Sequence, residues 1–154
     1  MCGIIGAVGR GDATLDVLLD GLSNLEYRGY DSAGVAVSGG ALSVAKRSGE
    51  LAVLEDALAG QSLPGAVGIG HTRWSTHGPP TDENAHPHTD CSGDIAVVHN
   101  GIIENHTTLK DELGSTHAFT SETDTEVVPH LIEDAFDGED LLGAVTSVVN
   151  RLEG

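Results

Sequence analysis

A short apolar run at residues 3–8 constrains the fold more than any other part of the sequence. It reads Gly-Ile-Ile-Gly-Ala-Val and is bounded by glycines, a pattern typical of a buried strand. Only two residues stand before it. We therefore expect the chain to enter a sheet almost at its first residue.

Helical and strand patterns follow one another along the rest of the chain. Apolar side chains at helical spacing predict five helices, over 12–25, 51–60, 105–113, 125–136 and 141–152. Short apolar runs predict five further strands, over 34–38, 42–46, 66–72, 94–99 and 117–120. Gly39-Gly40 between two of these strands predicts a hairpin, and hence antiparallel pairs. Residues 74–93, rich in Pro, His and Gly, are predicted to form a loop.

The composition limits what can fill the interior. The chain has 154 residues, close to the size of one domain, and 39% of them are hydrophobic. Five residues are aromatic, whereas 21 are glycine. We therefore expect a core of aliphatic and small side chains.

Acidic residues dominate the charge of the chain. Asp and Glu number 24 against seven Lys and Arg, which gives a formal net charge of −17. Without a basic surface a chain cannot hold the phosphates of nucleic acid, so we expect no nucleic-acid partner. Screening salt reduces repulsion of this size. We expect salt to stabilise the fold, and a salt-loving host is favoured.

Cysteine content and hydropathy indicate a cellular compartment. Cys2 and Cys91 are too few for a disulfide framework. Residues 1–9 have neither the basic region nor the long apolar stretch of a signal peptide. No apolar run approaches the roughly 18 residues of a membrane span. We therefore expect a reduced, cytoplasmic protein with no membrane partner.

Cys2 follows the initiator Met directly, and this position has chemical consequences. Removal of Met1 would leave one residue with both a thiol and a free α-amino group. An α-amine has an ordinary pKa of about 7.7 to 8.0, so it can accept the thiol proton and activate the sulfur as a nucleophile. The alternative is an ordinary buried cysteine. Cys91 has no base beside it in the sequence, so we expect a glutamine-mimicking electrophile to alkylate Cys2 alone.

Three further segments carry side chains suited to a polar substrate. Arg73 is a natural bidentate partner of a carboxylate; the alternative is an ion pair with a structural Asp. Asn100 and Gly101 offer a side-chain amide beside an unhindered backbone N–H, which suits an oxyanion hole, although Asn-Gly is also a common turn. Asp124 could receive an ammonium group, and the polar residues 121–126 equally fit a helix N-terminus.

Six histidines between residues 71 and 106 raise the question of a metal site. The best fragment is His86-Pro87-His88, where Pro87 prevents a helical pair of imidazoles. The spacing of the six matches no zinc pattern. We expect neither a metal nor a cofactor.

Taken together, these segments resemble the class II glutamine amidotransferases, which are N-terminal nucleophile (Ntn) hydrolases. The resemblance covers essentially the whole chain and is most specific to the glutaminase domains of glutamine–fructose-6-phosphate aminotransferases. The matching motifs are Met-Cys-Gly-Ile-Ile-Gly at 1–6, Tyr-Arg-Gly-Tyr-Asp-Ser-Ala-Gly at 27–34, His-Thr-Arg-Trp-Ser-Thr-His-Gly at 71–78, Asn-Ala-His-Pro-His at 84–88, Val-His-Asn-Gly-Ile-Ile-Glu-Asn-His at 98–106 and Ser-Glu-Thr-Asp-Thr-Glu at 121–126.

The resemblance implies how the reaction proceeds. Cys2 would attack the amide carbon of L-glutamine with its own α-amine as base, and the γ-glutamyl thioester would then be hydrolysed. Asn100 and Gly101 would stabilise the oxyanion. Trp74 would form a gate to the ammonia path, and Arg28 would line the nucleophile end.

The resemblance also implies how both charged groups of glutamine are held. Arg73, helped by Thr76 and His77, would bind the α-carboxylate of the substrate. Asp124 would bind its α-ammonium group.

The family fold is a four-layer αββα sandwich of antiparallel sheets, in the α+β class, so we expect residues 1–154 to form a glutamine amidotransferase domain of this kind. In the family the domain continues into more strands, and two sugar isomerase subdomains follow. We therefore expect a C-terminally incomplete domain. Fructose 6-phosphate would bind only through the absent sugar domains, and the full-length enzyme would be a homodimer.

Two alternatives stay open. The amidophosphoribosyltransferases of purine synthesis share the Cys-Gly-Ile start and the His-Asn-Gly segment, but they usually have Gln at Tyr30 and Tyr at Trp74. The second alternative is an inactive fragment that at most binds glutamine.

Overall fold

The main sheet has four antiparallel strands in the order β1-β4-β2-β3. The computed structural model describes residues 2–9, 13–75 and 78–154. The strands are β1 (Gly3–Val8), β2 (Ser32–Ser38), β3 (Leu42–Ser48) and β4 (Val67–Arg73). The prediction that the chain enters a sheet at residue 3 is confirmed. Gly3 pairs with Thr72, so the start of β1 lies beside the end of β4.

Two helices, α1 (Thr14–Leu25) and α2 (Leu51–Leu58), cover one face of this sheet. Leu18 and Leu22 of α1 are fully buried and belong to one cluster with residues of β2. Burial of a leucine of this kind contributes about 1.5–3 kcal/mol to folding. The leucine spacing of the sequence therefore defines the buried side of both helices.

The rest of the chain forms a second sheet and a second core. β5 (His88–Thr89) and β6 (Ala96–Val97) pair antiparallel. Three helices follow, namely α3 (His106–Leu113), α4 (Val127–Ala135) and α5 (Leu141–Val149). Their buried side chains form one aliphatic cluster with Ile103 from the loop before α3, and its helical members are Leu109, Leu113, Val127, Val128, Leu131, Ile132, Ala144 and Val148.

The segment around His86 lies between the two sheets. The His86 ring contacts His71 of β4, with ring centroids 4.3 Å apart, and His88 of β5, with centroids 4.5 Å apart. The layers therefore stack in the order helices α1 and α2, the main sheet, the small sheet, and helices α3, α4 and α5. The predicted α+β class and αββα arrangement are confirmed, with two strands in the second sheet among the described residues.

The predicted strand over 117–120 is wrong, because these residues are irregular. The backbone N–H groups of Thr120 and Ser121 donate to the Glu126 carboxylate at 2.7 and 2.8 Å. A buried side chain thus supplies the acceptors that a neighbouring strand would offer. The predicted strand over 94–99 is reduced to Ala96–Val97, and the predicted loop over 74–93 contains β5.

In the part of the chain that the structure describes, no helix combines the length and the apolar character needed to cross a bilayer.

Candidate active site

A cleft of about 380 Å³ opens where β1 starts and β4 ends, beside the loop after β6. Antiparallel pairing brings these two strand ends together. Seven of the nine predicted site residues line the cleft, namely Cys2, Arg28, Arg73, Trp74, Asn100, Gly101 and Asp124. The other two, Thr76 and His77, lie outside the described residues.

Backbone contacts fix the position of the Cys2 thiol. Its Sγ accepts a hydrogen bond from the Trp74 backbone N–H at 3.2 Å. The turn at Gly29 packs against the same stretch, because a Cβ at residue 29 would lie 2.7 Å from the carbonyl carbon of Arg73 and 2.8 Å from the Trp74 nitrogen. Glycine at this position therefore lets the chain close around the backbone that holds the sulfur.

The Asn100 side chain is oriented by two hydrogen bonds. His71 Nε2 donates to Asn100 Oδ1 at 2.8 Å, and Asn100 Nδ2 donates to the Cys2 carbonyl oxygen at 3.1 Å. Burial lowers the pKa of His71 to about 4, so the ring is neutral near pH 7 and uses its single N–H as the donor. Because His71 holds the oxygen of the amide, its NH₂ group faces Cys2.

Gly101 lies against the ring of His99. A Cβ at residue 101 would be 2.8 Å from His99 Nε2. His99 is itself within 3.2 Å of the Thr125 hydroxyl through Nδ1. A side chain at residue 101 would therefore displace a ring that contacts Thr125, another residue lining the cleft.

The cleft contains a buried cation and a buried anion. Arg73 is 4% exposed and Asp124 is 5% exposed. Burial lowers the pKa of Arg73, while the acidic groups of Cys2, Asp31 and Asp124 raise it, and a guanidinium stays protonated under such conditions. Asp124 Oδ2 accepts the Ile103 N–H at 2.6 Å. A ligand with opposite charges at one end would match this pair.

Two residues that position the site were not identified from the sequence. His71 orients Asn100 through the hydrogen bond from its Nε2 to Asn100 Oδ1. Asp31 donates its backbone N–H to the Arg73 carbonyl at 3.0 Å and accepts the Ser75 N–H through Oδ2 at 2.8 Å. Asp31 lies inside the motif at 27–34 and His71 inside the motif at 71–78. The motifs therefore pointed to both residues, although the chemistry of each side chain alone did not indicate its role.

Three of the histidines between residues 71 and 106 form a buried stack. His71, His86 and His88 are each at most 5% exposed. Burial lowers the pKa of His88 to about 3 and also lowers that of His86. The three rings are therefore neutral packing elements near pH 7.

Comparison with known protein families and sequences supports a common ancestry. The family described as the glutamine amidotransferase domain matches residues 56–147. The chain is 60% identical over 156 residues to glutamine–fructose-6-phosphate aminotransferase (isomerizing) of Halobacterium salinarum, and 57% identical over 156 residues to that of Thermus thermophilus. These alignments cover 100% of this chain but 25% and 26% of the relatives. The chain thus spans about a quarter of the length of these curated relatives.

Solved structures show the same architecture. The glutamine phosphoribosylpyrophosphate amidotransferase of B. subtilis, complexed with ADP and GMP, matches with a TM-score of 0.80 and 27% identity. A structure described as the allosteric regulatory enzyme of purine biosynthesis matches with a TM-score of 0.84 and 28% identity. Both matches cover 100% of this chain, and 33% and 34% of the solved chains.

Proposed function

The chain belongs to the glutamine amidotransferase family, and on this premise we propose that it is the glutaminase part of a glutamine–fructose-6-phosphate aminotransferase. It would hydrolyse the side-chain amide of L-glutamine to glutamate and ammonia. Domains outside this chain would then use the ammonia on fructose 6-phosphate. The 60% identity to the Halobacterium aminotransferase favours this activity over that of the phosphoribosylpyrophosphate amidotransferase of B. subtilis, whose solved structure is 27% identical.

One observation supports the proposal most strongly. The Asn100 amide donates to the Cys2 carbonyl oxygen at 3.1 Å, in the same cleft that Arg73 and Asp124 line. L-Glutamine has an amide at one end, and a carboxylate and an ammonium group at the other. The cleft offers a nucleophile with a hydrogen-bond donor for the first end, and one charge of each sign for the second.

The chemistry begins once Met1 is removed. The α-amine of Cys2 takes the thiol proton, and Sγ attacks the amide carbon while the carbonyl electrons move to its oxygen. Asn100 Nδ2 and the Gly101 N–H donate to this oxyanion. When the intermediate collapses, the C–N bond breaks and the nitrogen leaves as ammonia with the proton from the α-ammonium. Water, deprotonated by the α-amine, then cleaves the γ-glutamyl thioester and restores the thiol.

The remaining predicted residues have supporting roles in this proposal. Trp74 is 45% exposed, and its ring meets that of Tyr30 edge to face with centroids 5.5 Å apart, which suits a gate for ammonia. Arg28 lines the cleft and would lie at its nucleophile end. Thr76 and His77 would assist Arg73 at the α-carboxylate.

The two charged residues provide a first test. Arg73→Lys and Asp124→Asn should each raise KM for glutamine about 10- to 100-fold with a smaller change in kcat, because a hydrogen bond to a charged group is worth roughly 1.5–3 kcal/mol. Glutamate release would be measured by a coupled assay. Arg47→Lys on β3 and Asp111→Asn on α3 are matched controls and should leave KM unchanged. An unaltered KM in both site variants would contradict the assigned binding mode.

Asn100 is tested by a different kinetic parameter. Asn100→Ala should lower kcat by about 10²- to 10³-fold, since an oxyanion-hole donor acts mainly in the transition state. KM should change much less. Asn100→Asp keeps the shape but replaces the donor by an oxygen, and we expect it to be at least as slow. A variant with normal kcat and raised KM would show that the amide binds the ground state instead.

The inactive-fragment alternative is tested by trapping. A wild-type chain that binds glutamine but never forms a thioester on Cys2, and releases no glutamate, would overturn the proposed function.

We also propose that the full-length protein is a cytoplasmic homodimer in a salt-loving cell. The charge of −17 supports the preference for salt. Melting temperatures should rise from low to molar KCl, and a flat or falling trend would contradict this preference.

A further inference from the structure

A second cluster of reactive side chains lies outside the catalytic cleft. It consists of Cys91, His117, His130 and Glu133, and none of these four lines the cleft. Cys91 lies between β5 and β6, His117 in the segment after α3, and the other two on α4. The cluster therefore joins three segments that are separate in the sequence.

The four side chains approach one another as the ligands of one ion do. Their ligand atoms all lie within 4.8 Å of one another. Cys91 Sγ is 3.6 Å from His117 Nδ1 and 3.5 Å from His130 Nδ1. Glu133 Oε2 is 3.3 and 3.5 Å from the same two nitrogens. A tetrahedral zinc site with bonds of about 2.0–2.3 Å has ligand separations of roughly 3.3–3.6 Å, so these four separations fit it.

A neighbouring carboxylate orients one of the imidazoles. His117 Nε2 is 3.1 Å from Asp134 Oδ1, so the ring donates its N–H on that side. The lone pair of Nδ1 then points into the cluster, an arrangement that is common for histidines that bind zinc. His130, whose side chain is 1% exposed, also directs Nδ1 at Cys91 and Glu133.

We propose that Cys91, His117, His130 and Glu133 form a structural Zn²⁺ site. One sulfur, two imidazole nitrogens and one carboxylate oxygen make a tetrahedral donor set that suits zinc. All four ligands come from the protein, which is typical of a structural site and not of a catalytic one. Binding would displace the Cys91 thiol proton to solvent.

The ion would stabilise the part of the chain that carries Asp124 of the catalytic cleft. α4 follows directly on the short 3₁₀ helix over 124–126, whose first residue is Asp124. A bond from α4 to Cys91 would hold this helix against the turn of the small sheet. The site would thereby limit movement of the segment that carries the buried anion of the cleft.

This proposal revises two expectations from the sequence. No metal was expected, because only the histidines between 71 and 106 were considered, and these give no zinc spacing. Cys91 was expected to lack a neighbouring base, but the structure places two imidazoles within 3.6 Å of its sulfur. The ligands at 91, 117, 130 and 133 are too widely spaced to form a local motif.

Metal titration of the whole chain tests the proposal. The protein would be reduced, stripped with a chelator, titrated with ZnCl₂ by calorimetry and analysed by mass spectrometry for bound metal. We expect one zinc per chain. Co²⁺ in its place should give the visible absorption of a tetrahedral site and a sulfur-to-cobalt charge-transfer band. Both should disappear when Zn²⁺ is added. Absence of stoichiometric zinc in the reduced protein would overturn the proposal.

Matched variants separate this site from the catalytic thiol. Cys91→Ser should abolish the charge-transfer band, whereas Cys2→Ser should retain it. Asp134→Asn should weaken zinc affinity about 10- to 100-fold, and Asp111→Asn should not. Asp134 is 61% exposed at its side chain, so this change does not endanger the fold. A band that persists in Cys91→Ser, or that is lost in Cys2→Ser, would contradict the assignment. These readouts do not depend on glutamine turnover, so this proposal and the proposed function can fail separately.

Discussion

Cys2→Ala should reduce glutamate release at least about 10³-fold, to the level of background hydrolysis. The variant lacks the only atom that can form the thioester, and no other thiol is near the Asn100 amide in the described part of the cleft. Arg73, Asp124 and Asn100 remain in place, so glutamine should still bind and raise the melting temperature. That binding is the internal control that the fold is intact. Turnover at the wild-type rate would exclude nucleophilic catalysis by Cys2.

The same residue should be the only one labelled by a glutamine-mimicking electrophile. Intact mass should show that Met1 is absent from active protein, because the proposed mechanism uses the free α-amine of Cys2 as base. Peptide mass spectrometry should place the label on Cys2, and excess glutamine should prevent labelling. Label on Cys91 alone, or active protein that retains Met1, would be incompatible with the mechanism.

The largest effect on stability should come from mild acid. Between about pH 6.5 and pH 5 the free energy of unfolding should fall by up to about 4 kcal/mol per pH unit, or about 1.4 kcal/mol per unit for each ring of the His71–His86–His88 stack. Burial holds the pKa of each ring below its ordinary value of 6.5, to about 4 for His71 and about 3 for His88. Unfolded histidines gain protons in this window and the folded ones do not, so protons favour unfolding. Above pH 7 the effect vanishes.

The buried Glu126 carboxylate cannot account for a loss in this range. Burial would raise the pKa of Glu126, but hydrogen bonds from Thr120 and Ser121 outweigh it, and the pKa lies below its ordinary value. Its stabilising effect is therefore fully present above about pH 4.3 and is lost only at lower pH. The histidines should therefore lower the free energy of unfolding between about pH 6.5 and pH 5, and Glu126 only below about pH 4.3.

Urea unfolding in molar KCl would measure this loss, since salt suppresses the change in overall charge repulsion. His88→Gln should reduce the slope by about a third while keeping a polar group for the Thr123 hydroxyl, which lies 2.9 Å from His88 Nε2. His106→Gln, outside the stack, is the matched control. An unchanged free energy of unfolding from about pH 7 to pH 5 would show that the buried rings accept protons at little cost.

Periodicity alone was sufficient for most of the secondary structure. The strand at 3–8, the hairpin over Ser32–Ser48 and the leucine-rich helices follow from side chains a few residues apart, since burial of one face requires that spacing. The strand predicted over 117–120 does not form, because a side chain outside this run decides its structure. Glu126 accepts hydrogen bonds from backbone N–H groups that would otherwise need a partner strand. The apolar pattern of residues 117–120 does not indicate such an acceptor.

The sequence by itself determined the candidate residues and, through its motifs, the family. It did not determine that the Asn100 amide reaches Cys2 across 98 positions, or that His71 turns this amide toward it. It also did not show that Cys91 meets His117, His130 and Glu133. Residue type and spacing report on local conformation and on the chemistry that each group can perform. Which groups meet is decided by strand pairing and helix packing, because those contacts join residues that share no local pattern.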